Sequence, residues 1–191
     1  MILSVQPFGD IDEATLQEVA RCTSDRFGFS TRVDPAQPAP MFAWDERRRQ
    51  YSSFELLRTL LTAAPDADRV LGITELDLFI PALTFVFGQA QLDGRIALVS
   101  LARLRQGFYG MPADEELFKA RVRKEVTHEL GHTLGLIHCS ESFCAMKLST
   151  GILQVDIKED RLCDGCREAA AERIARWRKE RYEVSMEDPG R

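Results

Sequence analysis

Apolar and polar positions along the chain predict an alternation of strands and helices. Residues 2–6 read as a first strand. Asp10 or Asp12 can cap a helix running to about Phe27, with Leu16, Val19 and Ala20 on its buried side. Residues 29–33 read as a second strand, and Asp34 to Pro40, with three prolines, as a loop. Ser52 or Ser53 can cap a second helix to about Ala64, carrying Leu56, Leu57, Leu60 and Leu61. Three strand-like runs follow, Arg69–Thr74, Leu83–Gln91 and Arg95–Leu101, and Asp93-Gly94 between the last two is a hairpin signal. A long helix is predicted from near Pro112 to about Leu134. After an irregular stretch rich in cysteine, a last helix spans about Asp164 to Tyr182, and residues 185–191 read as a frayed tail.

That order predicts an α/β (α+β) lobe with helices packed on a mixed sheet, followed by a small C-terminal lobe. The second lobe has few large apolar residues and needs a staple, which a metal can supply. The 191 residues suffice for one domain with a real core. No apolar run reaches the roughly 18 residues of a membrane span, and the N-terminus meets Asp10 and Asp12 too soon for a signal peptide. The net charge of -5 argues against a general nucleic-acid surface, and Arg47-Arg48-Arg49 reads as a solvated patch.

The chemistry is concentrated. All three histidines lie between residues 128 and 138. His128-Glu129-Leu130-Gly131-His132 puts two imidazoles one helical turn apart on one face, where both can hold one metal ion. Glu129 lies beside the first ligand without being one, which suits a general base. A continuing helix would carry His138 away from that face. Gly135 can adopt a left-handed conformation, end the helix and bring His138 back as a third ligand. Three imidazoles leave a fourth position open, as a catalytic zinc site requires.

Of five cysteines, Cys22 stands alone and reads as a buried helix residue. Cys139, Cys144, Cys163 and Cys166 fall within one short stretch. Four thiolates on two knuckles describe a closed structural zinc site, with two disulfides or buried thiols as the alternatives. Because Cys139 adjoins His138, two metal sites would be neighbours.

The string from His128 through His138, Cys139 and Cys144 to Met146, with Cys163 and Cys166 downstream, resembles the archaemetzincins, a family of metzincin-type zinc peptidases. Shorter segments resemble the same family: Arg49 with Tyr51, Leu71 to Thr74, Asp77 to Phe79, Phe85 to Gly88 and Phe108 to Gly110. The resemblance implies a single catalytic domain over 1–191, with a sheet-bearing part (1–138), a zinc-stapled part (139–184) and a tail (185–191). It implies two zinc ions: a catalytic one on His128, His132 and His138, and a structural one on the four cysteines. It implies Glu129 as general base and acid, and Met146 as the turn methionine beneath the metal. It also implies an antiparallel edge strand, about Leu83–Gln91, that pairs with an extended substrate; a plain core strand is the alternative. Some metzincins carry a tyrosine two residues after that methionine, where this chain has Leu148.

The expected activity is therefore zinc-dependent hydrolysis of peptide bonds in a cytoplasmic protein. Its partner is a peptide or protein, with no nucleic acid or membrane involved, and a monomer is favoured. A zinc-dependent binding module with little turnover, or a hydrolase of non-peptide substrates, are the competing expectations. Glu75 and Asp77 are candidate anchors for a substrate amine, with a solvated loop the preferred reading.

Overall fold

The computed structural model describes residues 1–187. The chain runs β1 (Ile2–Phe8), α1 (Glu13–Phe27), β2 (Ser30–Val33), β3 (Trp44–Asp45), β4 (Gln50–Ser52), α2 (Ser53–Leu60) and β5 (Arg69–Thr74). It continues β6 (Leu78–Phe79), β7 (Gly88–Ala90), β8 (Ile96–Ser100), α3 (Glu115–Thr133), α4 (Ile152–Ile157) and α5 (Asp164–Glu187). Five strands form one sheet in the order β2-β1-β5-β8-β7; only β7, at its edge, is antiparallel to its neighbour.

The central strands are buried on both faces, and their side chains alternate between two cores. Leu71, Ile73, Ala97 and Val99 face one core, shared with Val19 of α1 and Val122, Val126 and Leu130 of α3. Val70, Ile96 and Leu98 face the other, shared with Leu56, Leu57 and Leu60 of α2. Gly72 permits this second packing, because a Cβ there would sit 2.7 Å from Leu98 Cδ1 and 3.0 Å from Leu60 Cδ1. The first core runs on past residue 138 to Met146, Val155, Ala170 and Ile174.

The helix boundaries follow their caps. Asp12 accepts from Thr15 N and starts α1, and Gly28, at φ 64°, ends it. Asp114 accepts from Leu117 N, so α3 begins at Glu115, three residues after Pro112. The second helix ends at Leu60, not Ala64. The Arg95 guanidinium donates to the carbonyls of Leu61, Ala63 and Ala64 there, and Leu61 is exposed.

Several expectations need correction. The strand expected over Leu83–Gln91 pairs with β8 only over Gly88–Ala90. Phe87 O still accepts from Ser100 N (2.8 Å), but before it the chain leaves β8, and Val86 bridges instead to Leu78 of a second, three-stranded sheet ordered β3-β4-β6. That sheet had no counterpart in the expected order. Its β3–β4 turn holds Arg47-Arg48-Arg49. Arg48 is exposed but engaged, donating to the carbonyls of Leu83 and Pro81 and lying 4.4 Å from the Phe79 ring centre. The irregular cysteine region contains α4. The last helix continues past Tyr182 and takes in residues 185–187 of the expected tail; residues 188–191 lie outside the described part.

Candidate active site

α3 carries the first two histidines, and its end carries the third. Leu136 N donates to Gly131 O (3.0 Å) and Gly135 N to His132 O (2.9 Å), the paired bonds of a Schellman stop. Gly135 takes φ 82°, the left-handed turn that returns the chain. His138 is thereby brought back: its ring centre lies 5.3 Å from that of His128 and 5.0 Å from that of His132.

One ring nitrogen from each histidine falls within 4.8 Å of the others. His128 Nδ1 donates to Ala145 O (2.8 Å) and His132 Nδ1 to Leu136 O (2.7 Å). Each ring is therefore fixed with Nε2 as its acceptor, and the two Nε2 atoms face each other at 3.1 Å. Two such lone pairs repel unless a cation lies between them. Nitrogens on one tetrahedral zinc are about 3.3 Å apart, so the spacing fits that ion. Burial holds all three histidines below the usual imidazole range, and the Lys158 charge adds to it, so they are neutral donors.

Glu129 is buried beside them. Its carboxylate lies against β7: a Cβ on Gly88 would sit 2.6 Å from Glu129 Oε1. Burial, with the charge of Glu125, pushes its carboxyl well above the ordinary range, against the pull of Lys158. Met146 lies under the same helix, fully buried, and a Cβ on Gly131 would collide with its Sδ. The histidines and Glu129 line one cleft of 560 Å³, walled on one side by residues 83–90.

The four cysteines also converge, with one sulfur of each within 4.8 Å of the rest. Cys139 Sγ and Cys163 Sγ are 3.8 Å apart, far beyond a disulfide bond and close to the roughly 3.8 Å between thiolates on one tetrahedral zinc. The backbone N–H of Cys166 leads the causes that hold the Cys163 thiol low. Cys22 is buried on α1, far along the chain from this cluster, and burial pushes its thiol up.

The family model described as Peptidase family M54 matches residues 37–172. Archaemetzincin from Methanocaldococcus jannaschii is 41% identical over 166 residues, 87% of this chain and 90% of that protein. Archaemetzincin from Methanopyrus kandleri is 45% identical over 137 residues, 72% of this chain and 75% of that protein. The crystal structure of the Methanopyrus kandleri archaemetzincin superposes with a TM-score of 0.82 at 37% identity, covering 92% of this chain and 96% of that one. That of Archaeoglobus fulgidus archaemetzincin complexed with malonate gives 0.78 at 34% identity, covering 88% and 99%.

The chain belongs to peptidase family M54. Like the archaemetzincins it resembles, it is a zinc metallopeptidase, and it acts on peptide or protein substrates. Among the described residues, no helix of this M54 peptidase is long and apolar enough to cross a membrane.

The remaining expected residues separate cleanly. Leu148 lines the cleft and is exposed, so no hydroxyl is offered from that position. Glu75 and Asp77 are outside the cleft lining and are half-buried; each carboxylate is held by an arginine, Arg105 and Arg103 respectively. Two charged cleft residues had no expectation attached to them: Glu125, one turn before His128, and Lys158, just after α4. Lys158 Nζ lies 2.8 Å from Glu125 Oε1, and both side chains are almost wholly buried. The i, i+4 relation of Glu125 and Glu129 was readable as a shared face; the arrival of Lys158 from 33 positions away was not.

Proposed function

We propose that this M54 peptidase cleaves with Glu129 as its proton carrier. His128, His132 and His138 hold the catalytic zinc; Cys139, Cys144, Cys163 and Cys166 hold a second, structural zinc. Bound at the histidines, zinc supplies Lewis acidity toward a water and the scissile carbonyl. Glu129 accepts a proton from the attacking water at a carboxylate oxygen and delivers it to the leaving amine. An extended substrate lies along the free side of β7, its backbone paired to the strand.

The observation that carries this reading is the contact between Glu129 and Gly88. It sets the candidate base against the strand that would hold the peptide, in the cleft that contains the three imidazoles. Burial raises the proton affinity of this carboxyl, which suits a proton acceptor. The unbridged thiols suit a reducing compartment, so we place the protein in the cytoplasm, as a monomer in its simplest form. Gly135 ends the histidine helix and Met146 supports it.

Leu148 favours a second reading, a zinc-dependent peptide binder, because it brings no hydroxyl for the developing oxyanion. One experiment separates the two. The zinc-loaded protein is incubated with a mixed peptide library beside Glu129→Ala, and products are read by mass spectrometry. Cuts by wild type and none by the variant support the peptidase mechanism, and their positions distinguish end-trimming from internal cleavage. Equal cutting by both removes Glu129 from its role. Retained peptide with no cuts supports the binder.

A further inference from the structure

Lys158 and Glu125, both in the lining of the cleft, form a buried ion pair, their side chains 0% and 3% exposed. Such a pair is usually no more stabilising than an apolar pair of the same volume, so its presence calls for a reason. Attachment of the α4 segment is already provided for. Arg121 binds Asp156 through two bonds of 2.7 Å, Lys124 donates to Asp156 O, and Arg123 binds Asp160.

The pair is also incompletely bonded. Glu125 Oε1 is in ion contact with Lys158, yet it receives no hydrogen bond of good geometry among the described residues. Lys158 Nζ has only a long second contact, 3.5 Å to Lys147 O. Among the described residues Ser149 Oγ, in the same cleft, has no partner either. Phe85 and Leu148 are apolar residues lining the same cleft. Apolar walls around a few polar atoms describe a pocket that orients one side chain of a ligand.

We propose that Glu125, Lys158 and Ser149 form the floor of a substrate side-chain subsite that takes a neutral amide, asparagine or glutamine, next to the scissile bond. This rests on the peptidase reading above. An amide N–H₂ can donate to Glu125 Oε1, and its oxygen can accept from Ser149 Oγ or the ammonium. A charged side chain would have to displace one member of the pair to reach the other, whereas an amide offers a donor and an acceptor with no net charge. An apolar side chain of equal length would leave the floor desolvated and unpaired, which a site built for hydrogen bonding rejects.

The test uses zinc-loaded Glu129→Ala protein and labelled alanine-rich peptides in which one Gln, Met, Lys or Glu is moved along the chain. Affinity is read by fluorescence anisotropy. At one position Gln should bind more tightly than Met by about tenfold, and more tightly than Lys or Glu. Adding Glu125→Leu with Lys158→Met removes both charges together, a replacement that buried pairs tolerate. In that background Met should overtake Gln. Circular dichroism and zinc content establish that the variant is folded; should it not be, Ser149→Ala, which leaves the pair intact, should reduce the Gln advantage by itself. Equal binding of Gln and Met at every position overturns the subsite, as does a Gln preference that survives these changes. Absence of peptide binding overturns it too, while cleavage by the wild-type protein judges the peptidase reading separately.

Discussion

Gly131 lies between the two histidines of α3, and its missing side chain makes room for Met146. In an exposed helix, Gly→Ala stabilises by up to about 1 kcal/mol. At this position the sign should reverse, because the added methyl meets Met146 Sδ from a fully packed layer. We expect Gly131→Ala to destabilise by about 1–3 kcal/mol, the usual cost of overpacking. Denaturant unfolding measures it, and an unchanged or raised midpoint would remove Met146 from its supporting place. By the same logic Gly88 bears on the role proposed for Glu129. A methyl there contacts both Glu129 and the Leu98 carbonyl. Gly88→Ala should cut kcat/KM on any substrate found for the wild type by about a hundredfold, since small misplacements of a reacting group cost that much. Near-normal turnover would show that Glu129 need not sit against β7.

At the scale of elements, the α4 segment is tied to α3 and α1 by ion pairs. Arg121, fully buried, holds Asp156; Arg123 and Arg26 hold Asp160. Arg121→Met would leave Asp156 without its partner and strip a donor from Leu104 O. A loss of about 3 kcal/mol is expected, the lower end for breaking a buried pair, because Asp156 is partly exposed. A loss below about 0.5 kcal/mol by thermal unfolding would contradict it. Asp160 adds a pH signature. Burial by itself would raise its carboxyl, but the Arg123 hydrogen bond and the charges of Arg26 and Arg123 overcome that and hold it below 3.8. A depressed folded-state value stabilises above the unfolded value and is lost as pH falls through the folded one. Asp160→Asn should therefore narrow the stability gap between neutral pH and acid, measured as unfolding midpoints across that range.

None of this seam was legible beforehand, whereas α1, β5 and the end of α3 were. Asp12 and Gly135 carry their signals locally, in cap chemistry and left-handed glycine, and so did the histidine and cysteine spacings. The strands Trp44–Asp45, Gln50–Ser52 and Leu78–Phe79 are only two or three residues long; the first two form a short local hairpin, and the third pairs with it from 27 positions away. Lys158 reads as an ordinary surface lysine until the fold sets it against Glu125.

Across the whole molecule, the cysteine cluster and the histidine site are joined by backbone. Ala145 follows Cys144; its carbonyl accepts from His128 Nδ1, and its N–H donates to Arg161 O. Cys139 N donates to Met146 O. A zinc ion on the cysteines would thus fix the carbonyl that orients the first histidine, a positioning role of the kind whose loss weakens metal binding about 10- to 100-fold. Cys166→Ser should reduce the zinc content from two per chain to one. The remaining zinc should be held at least about tenfold more weakly than in the wild type. The melting temperature should fall as well, because α5 packs Ala170 and Ile174 into the same core as α3. Titration with a competing chelator, read as zinc released per chain, resolves both quantities. One zinc lost with the other bound at wild-type affinity would mean that the two sites are merely adjacent, and that the His128–Ala145 bond holds its geometry without the cysteine cluster behind it.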